Sequence, residues 1–253
     1  MLAFVVAASL ILPGTGYAAE IDVMISGGFS AAYATLIPEF ERVTKHTVVT
    51  VSGPSMGNTL EAIPNRLQRG ERADLLIMVG TALDELIKQG KVVAASRADL
   101  ARSSIGMVVR KGAPKPDIAS VAAFKRTLIE AKSIAYSDSA SGVYLSTVLF
   151  QRLGIADQVL GKSRMIPGEP IGAVVARGEA QIGFQQISEL LPVPGVDLVG
   201  PLPAEIQKVT VFSAGVATSA KEPDAARALI VFLASAEAAA AIAKSGMEPV
   251  TSR

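Results

Sequence analysis

There is no cysteine in this 253-residue chain, and only one histidine, His46. The first absence removes disulfides, thiolate metal sites and a cysteine nucleophile. The second leaves little for zinc chemistry and leaves a serine triad unsupported. A long basic run is missing too, as is any interleaving of basic with aromatic residues: 24 Lys and Arg stand against 23 Asp and Glu. Nucleic acid is therefore a poor candidate partner. Nothing in the composition calls for a metal or a cofactor, and the chain is expected to act as a monomer. About half of the residues are hydrophobic, enough at this length to build one large domain or two lobes.

Residues 1–19, MLAFVVAASLILPGTGYAA, hold an apolar run from Leu2 to Leu12, a Pro-Gly break and small residues ending at Ala18-Ala19. That is the layout of a cleaved secretory signal peptide, with an N-terminal anchor or a buried N-terminal strand as the alternatives; the run is shorter than the roughly 20 residues of a membrane span. No Lys or Arg precedes it, the one feature of such a leader that is lacking.

Short apolar runs alternate with helical patterns along the rest of the chain, which predicts an α/β fold with mostly parallel sheets. Three loops between a strand and a helix share one chemistry. Ser26-Gly27-Gly28-Phe29-Ser30 follows Ile21–Ile25, and Ser52–Thr59, with Ser55, Met56 and Asn58, follows Val48–Val51. Ser137–Gly142, with Ser139 and Ser141, follows Ile134–Tyr136. Hydroxyls beside the unpaired N–H groups and positive dipole of a helix N-terminus can hold an anion without any lysine. In open α/β sheets the ligand lies beyond the carboxyl ends of the strands, so these loops predict a cleft between two lobes. The Pro-rich change near Ala113 and the return near Val209 divide the chain. The first lobe is expected from 20–102 and 211–253, the second from 103–210.

These loops, together with Gly70-Glu71-Arg72-Ala73-Asp74-Leu75, Ser141-Gly142-Val143-Tyr144 and Arg177-Gly178-Glu179-Ala180-Gln181-Ile182-Gly183, resemble the type II periplasmic solute-binding proteins of ABC importers, and among them the molybdate-binding family. The resemblance runs from about Ile21 to Val250. It implies a periplasmic two-lobe protein that closes on a small anion and hands it to an ABC permease. The family's first-loop serine falls at Gly28, between Ser26 and Ser30, its second near Asn58-Thr59, and Ser141 matches a turn that offers a backbone amide. This chain departs from the pattern where the family's tyrosine is Gln186 and where Ile63-Pro64-Asn65-Arg66 adds length. Gln185 and Gln186 with Arg66 or Arg69 suit carboxylates, because amides and guanidinium can bond both oxygens.

Ser-Met-Gly-Asn, Ile-Pro-Asn-Arg-Leu and Gly-Phe-Gln-Gln-Ile-Ser-Glu-Leu are also similar to a branch of the superfamily that includes aconitate isomerase, an enzyme built on the binding-protein fold. That resemblance implies proton transfer beside fixed carboxylates, with Tyr144 and Glu169 as candidate catalytic groups, Ser141 beside them and Arg66 as a clamp. Each has a plainer reading. Tyr144 is equally a packed residue whose hydroxyl finds a backbone partner, Glu169 equally a surface loop residue, and Arg66 and Arg69 solvated charges. His46 reads as exposed, and Asp74 as a residue that orients a neighbouring loop.

Overall fold

The computed structural model describes residues 17–250; all but the last three residues of the expected leader lie outside that range. Among the described residues eleven strands form two sheets. The first contains β1 (Glu20–Ile25), β2 (Thr47–Ser52), β3 (Leu75–Val79), β4 (Ala98–Ser103), β10 (Thr210–Val216) and β11 (Glu248–Pro249). The second contains β5 (Ile105–Arg110), β6 (Ile134–Ser137), β7 (Ser163–Ile166), β8 (Ile182–Gln186) and β9 (Val196–Pro201). Their orders are β11-β4-β10-β3-β1-β2 and β7-β6-β8-β5-β9.

The expectation of mostly parallel sheets needs correction, because both sheets are mixed. In each, three parallel strands sit together: β2-β1-β3 in one and β7-β6-β8 in the other. Antiparallel pairs are made by β10 with β3 and β4, by β11 with β4, and by β5 with β8 and β9. The long strands β10 and β5 follow the passages between sheets, so they enter running against their neighbours.

Periodicity explains the elements. β3 is Leu-Leu-Ile-Met-Val with every residue buried, as expected of a strand covered on both faces. The helix Gly27–Thr44 places Phe29, Ala32, Tyr33, Leu36 and Phe40 on one stripe and ends at Lys45, whose left-handed backbone has φ of 64°. That stripe packs with the helices Pro223–Leu233 and Ala236–Lys244 over one face of the first sheet, while Ile63, Leu83 and Leu86 cover the other. The second sheet is likewise covered on both faces.

Asp74 ties the first lobe together. Its buried carboxylate accepts from the backbone N–H groups of Asp22 at 2.8 Å, Lys221 at 2.6 Å and Glu222 at 3.1 Å. His46 is half-buried rather than exposed: it lies 6.0 Å from the Phe40 ring, and its Nδ1 accepts from the Ala19 N–H at 3.0 Å.

Candidate functional site

All six parallel strands end at one cavity of about 420 Å³ between the sheets. Ser26 follows β1, Ser52 to Ser55 close β2, and Val79 ends β3. From the other lobe come Ser137 after β6, Gly168 to Pro170 after β7, and Gln185 and Gln186 at the end of β8. Phe212 of β10 lies under Gly28, so close that a Cβ there would meet the ring at 2.0 Å.

Three polar atoms at this cavity are buried without a hydrogen-bond partner: Ser26 Oγ, Thr59 Oγ1 and Gln186 Oε1. An unmade hydrogen bond of this kind costs about 1–3 kcal/mol. Ser26 is the N-cap of the helix Gly27–Thr44, yet its side chain makes no capping bond, although only 3% of the residue is exposed. A serine that leaves the cap unused and aims an orphan hydroxyl at a cavity beside free helix N–H groups is built to receive an acceptor-rich ligand. Gln186, 2% exposed, is held by its Nε2 donating to Thr210 Oγ1 at 2.9 Å, across the passage between lobes. Gln185 Oε1 accepts from the Ile171 N–H at 2.9 Å. Ser137 Oγ lies 2.8 Å from Ser139 Oγ and 3.1 Å from Ser141 Oγ, which orients the Ser137 and Ser139 hydroxyls at the wall.

Of the residues singled out from sequence, Ser26, Gly27, Gly28, Ser55, Thr59, Ser139, Glu169, Gln185 and Gln186 line the cavity. Ser30, Met56, Asn58, Arg66, Ser141, Gly142 and Tyr144 do not, each for a local reason. Ser30 Oγ donates to the Ser26 carbonyl at 3.3 Å, because the helix begins at Gly27 and Ser30 already lies in its first turn. Met56 lines a separate hollow with Pro64 and Leu86, and Asn58 is exposed. Arg66 is partly buried, pairs with Glu71 at 2.7 Å and donates from Nε to the Glu61 carbonyl at 3.0 Å. Ser141 is buried against Ser137, and Gly142 serves by lacking a side chain, since a Cβ there would sit 1.7 Å from the Ser137 carbonyl oxygen. Tyr144 lies in the core of the second lobe, where its hydroxyl donates to the Ile206 carbonyl at 2.9 Å. Glu169 lines the cavity but is held by Arg177 at 2.5 Å.

Sequence reasoning passed over Glu189. It follows β8 on the short helix Ile187–Leu190, half-buried on the cavity wall between the buried Ser188 and Leu190. Its Oε1 presses against Gly27, where a Cβ would come within 2.5 Å of it. Burial pushes its carboxyl up to about 7, against the pull of the Gln185 side chain and the Gln186 backbone, and the negative charge of Asp138 adds to the rise. The signal was an acidic residue flanked by buried neighbours one turn past a strand that ends at the cleft. Among the described residues no Lys or Arg lines the cavity; the acids that do are Glu61, Asp138, Glu169 and Glu189.

Two α/β lobes, each with a mixed sheet, closing on a cavity lined by hydroxyls, amides and helix N-termini define a two-lobe solute-binding protein. The chain belongs to the bacterial extracellular solute-binding protein family, whose sequence model matches residues 21–248. It is 53% identical over 230 residues to an aconitate isomerase from Pseudomonas sp, spanning 91% of this chain and 88% of that one. It is 26% identical over 226 residues to the molybdate-binding protein ModA of Azotobacter vinelandii, spanning 85% and 84%. The solved periplasmic molybdate-binding protein of Azotobacter vinelandii shares the fold, with a TM-score of 0.71 at 20% identity over 92% of this chain and 100% of that one.

Proposed function

We propose that the protein binds a small polycarboxylate between its lobes and isomerises it, aconitate being the first substrate to test. The observation that carries this reading is the convergence of three orphaned polar atoms, on Ser26, Thr59 and Gln186, in one cavity that also holds Glu189. The cavity lies within the roughly 300–1,000 Å³ typical of small-molecule sites and is roomier than a single tetrahedral oxyanion requires. The relative that shares 53% of its residues is named for this reaction. Repulsion from the lining acids is limited: Glu61 is exposed and Glu169 is neutralised by Arg177.

The second reading is a transport protein that delivers a molybdate-like oxyanion to an ABC permease. It is favoured by the hydroxyl-and-amide lining without cations and by the 26% identity to ModA. One experiment separates the two. Each aconitate isomer, citrate, molybdate and sulfate is titrated calorimetrically, and the aconitate samples are followed by proton NMR. Both aconitates should bind and each should be converted into the other. Molybdate or sulfate binding without any carboxylate binding would replace the first reading with the second.

Export through a cleaved leader belongs to the same proposal, with the processed protein acting in the periplasm. Ala19 is built into the fold: it is 4% exposed, its N–H donates to His46, and its carbonyl accepts from the Thr47 N–H at 2.9 Å. Tyr17, two residues earlier, is 83% exposed. Cleavage between Ala18 and Ala19 leaves the folded unit whole, so mass spectrometry of the exported protein should find Ala19 at its N-terminus. An exported form that begins within or beyond β1 would contradict this.

A further inference from the structure

We infer that Glu189 is the catalytic group of this reaction: its carboxylate takes a proton from the methylene carbon of the bound tricarboxylate and returns it to the carbon at the far end of the double bond. The inference rests on the isomerase reading above. Balance requires nothing else. The methylene C–H bond breaks and its electron pair enters the carbon framework, where the neighbouring carboxylate stabilises the charge. The double bond moves by one position, and the same proton equivalent forms the new C–H bond. Neither oxidant, metal nor second substrate is consumed, so a single residue that can hold and release one proton is sufficient.

The four acids on the cavity wall differ in what occupies them. Glu169 is committed to Arg177 at 2.5 Å, so protonating it breaks an ion pair. Glu61 is exposed at the mouth. Asp138 is half-buried on the wall, where a Cβ on Gly57 would lie 3.9 Å from its Oδ2, and its charge acts on Glu189. Glu189 is the acid that projects between the lobes, its Oε1 against the first turn of the helix that begins at Gly27. The orphaned Ser26 hydroxyl stands at the cap of that same helix, so a ligand carboxylate received there is brought beside the Glu189 carboxyl.

The groups that face Glu189 pull in two directions. Asp138 and burial favour its proton, with Glu61 and Glu169 the other acids on the wall. Gln185, the Gln186 backbone and the helix N-terminus favour its anion. A carboxyl balanced in this way near neutrality can act as base and then as acid within one turnover.

The test is Glu189→Gln, which keeps shape and removes only the titrating proton. In the variant, both aconitates should bind within about threefold of wild type while turnover falls by about 10²–10⁴-fold. Deuterium incorporation into the substrate in D₂O should fall with it. In wild type, kcat/KM should rise with pH through the neutral range, because the group must lose its proton to begin, and the residual activity of the variant should lack that limb. Glu189→Asp withdraws the carboxylate by one methylene, so it should bind normally with reduced turnover and a displaced pH limb; it serves if the amide variant does not fold. If wild type binds aconitate without converting it, the isomerase reading itself fails. If wild type is active and Glu189→Gln turns over within threefold of it, or Glu189→Asp keeps both rate and pH limb, the reading stands and the assignment of Glu189 is overturned.

Discussion

Gly142→Ala is expected to cost about 3 kcal/mol or more and to abolish ligand binding. A Cβ at this position would lie 1.7 Å from the Ser137 carbonyl oxygen, 2.7 Å from its carbon and 3.0 Å from the Ser137 nitrogen. All three are backbone atoms, so no rotamer change relieves the clash. Overpacking of this kind typically costs 1–3 kcal/mol where side chains can yield, and here they cannot. The strand β6 would have to release Ser137 or the helical run from Ala140 would have to lift. Either shift moves Ser137, Asp138 and Ser139 at the cavity wall. At roughly 2–4 °C per kcal/mol for a chain of this size, the melting temperature should drop by roughly 10 °C. Gly161→Ala is the control, because a Cβ there meets nothing within 4 Å and the backbone is not left-handed. It should melt and bind as wild type does. A Gly142→Ala protein with unchanged melting temperature and affinity would show that the packing of this loop has been misread.

The second large effect is on the pH dependence of stability, with no ligand present. The Glu189 carboxyl is raised to about 7 in the folded protein from the ordinary 4.5 of an unfolded chain. The folded state therefore holds this proton more tightly than the unfolded one. The associated stabilisation is fully present below pH 4.5 and is lost as pH rises through about 7. A shift of that size corresponds to roughly 3 kcal/mol if undiminished, and to about 2 kcal/mol for a carboxyl that opens on one side to a cavity. Glu189→Gln removes the dependence. Thermal melts of the two proteins should run together near pH 4.5 and separate above pH 7, with the variant melting roughly 4–8 °C higher. Parallel curves across that range would mean that the carboxyl titrates at its ordinary value.

The sequence revealed most where burial and pattern agree. The run Ala73–Val79 announced β3 because a strand covered on both faces needs apolar residues throughout. Pro223–Leu233 is legible as a helix from its alanine-rich run, and the structure puts its proline in the first turn. β4, Ala-Asp-Leu-Ala-Arg-Ser, and β9, Val-Asp-Leu-Val-Gly-Pro, were not seen as strands, because their charges and glycine suit loops. Pairing with β10 and β5, at a sequence distance no local pattern records, holds them extended. The cavity wall was legible where hydroxyls follow strands, as at Ser26, Ser55 and Ser139, since the loop after a parallel strand must face the cleft. Other side chains named from the sequence have partners away from the cavity lining. Tyr144 finds Ile206, a partner 62 residues on that no local pattern records, while Arg66 finds Glu71 and the Glu61 carbonyl, each five residues away.

The order of strands in the first sheet also governs when that lobe can exist during synthesis. β10 lies inside the sheet between β4 and β3, and β11 closes its edge, yet among the described residues these are the last two strands in chain order. Until residue 216 has emerged, β3 lacks one neighbour and Asp74 has only one of its three backbone donors, the Asp22 N–H. The second sheet, drawn wholly from residues 105–201, can complete its pairing first. The first lobe is thus held open by its own chain order while the polypeptide is being made. A chain that delays its long-range pairing in this way stays threadable for longer, which is compatible with the export proposed above.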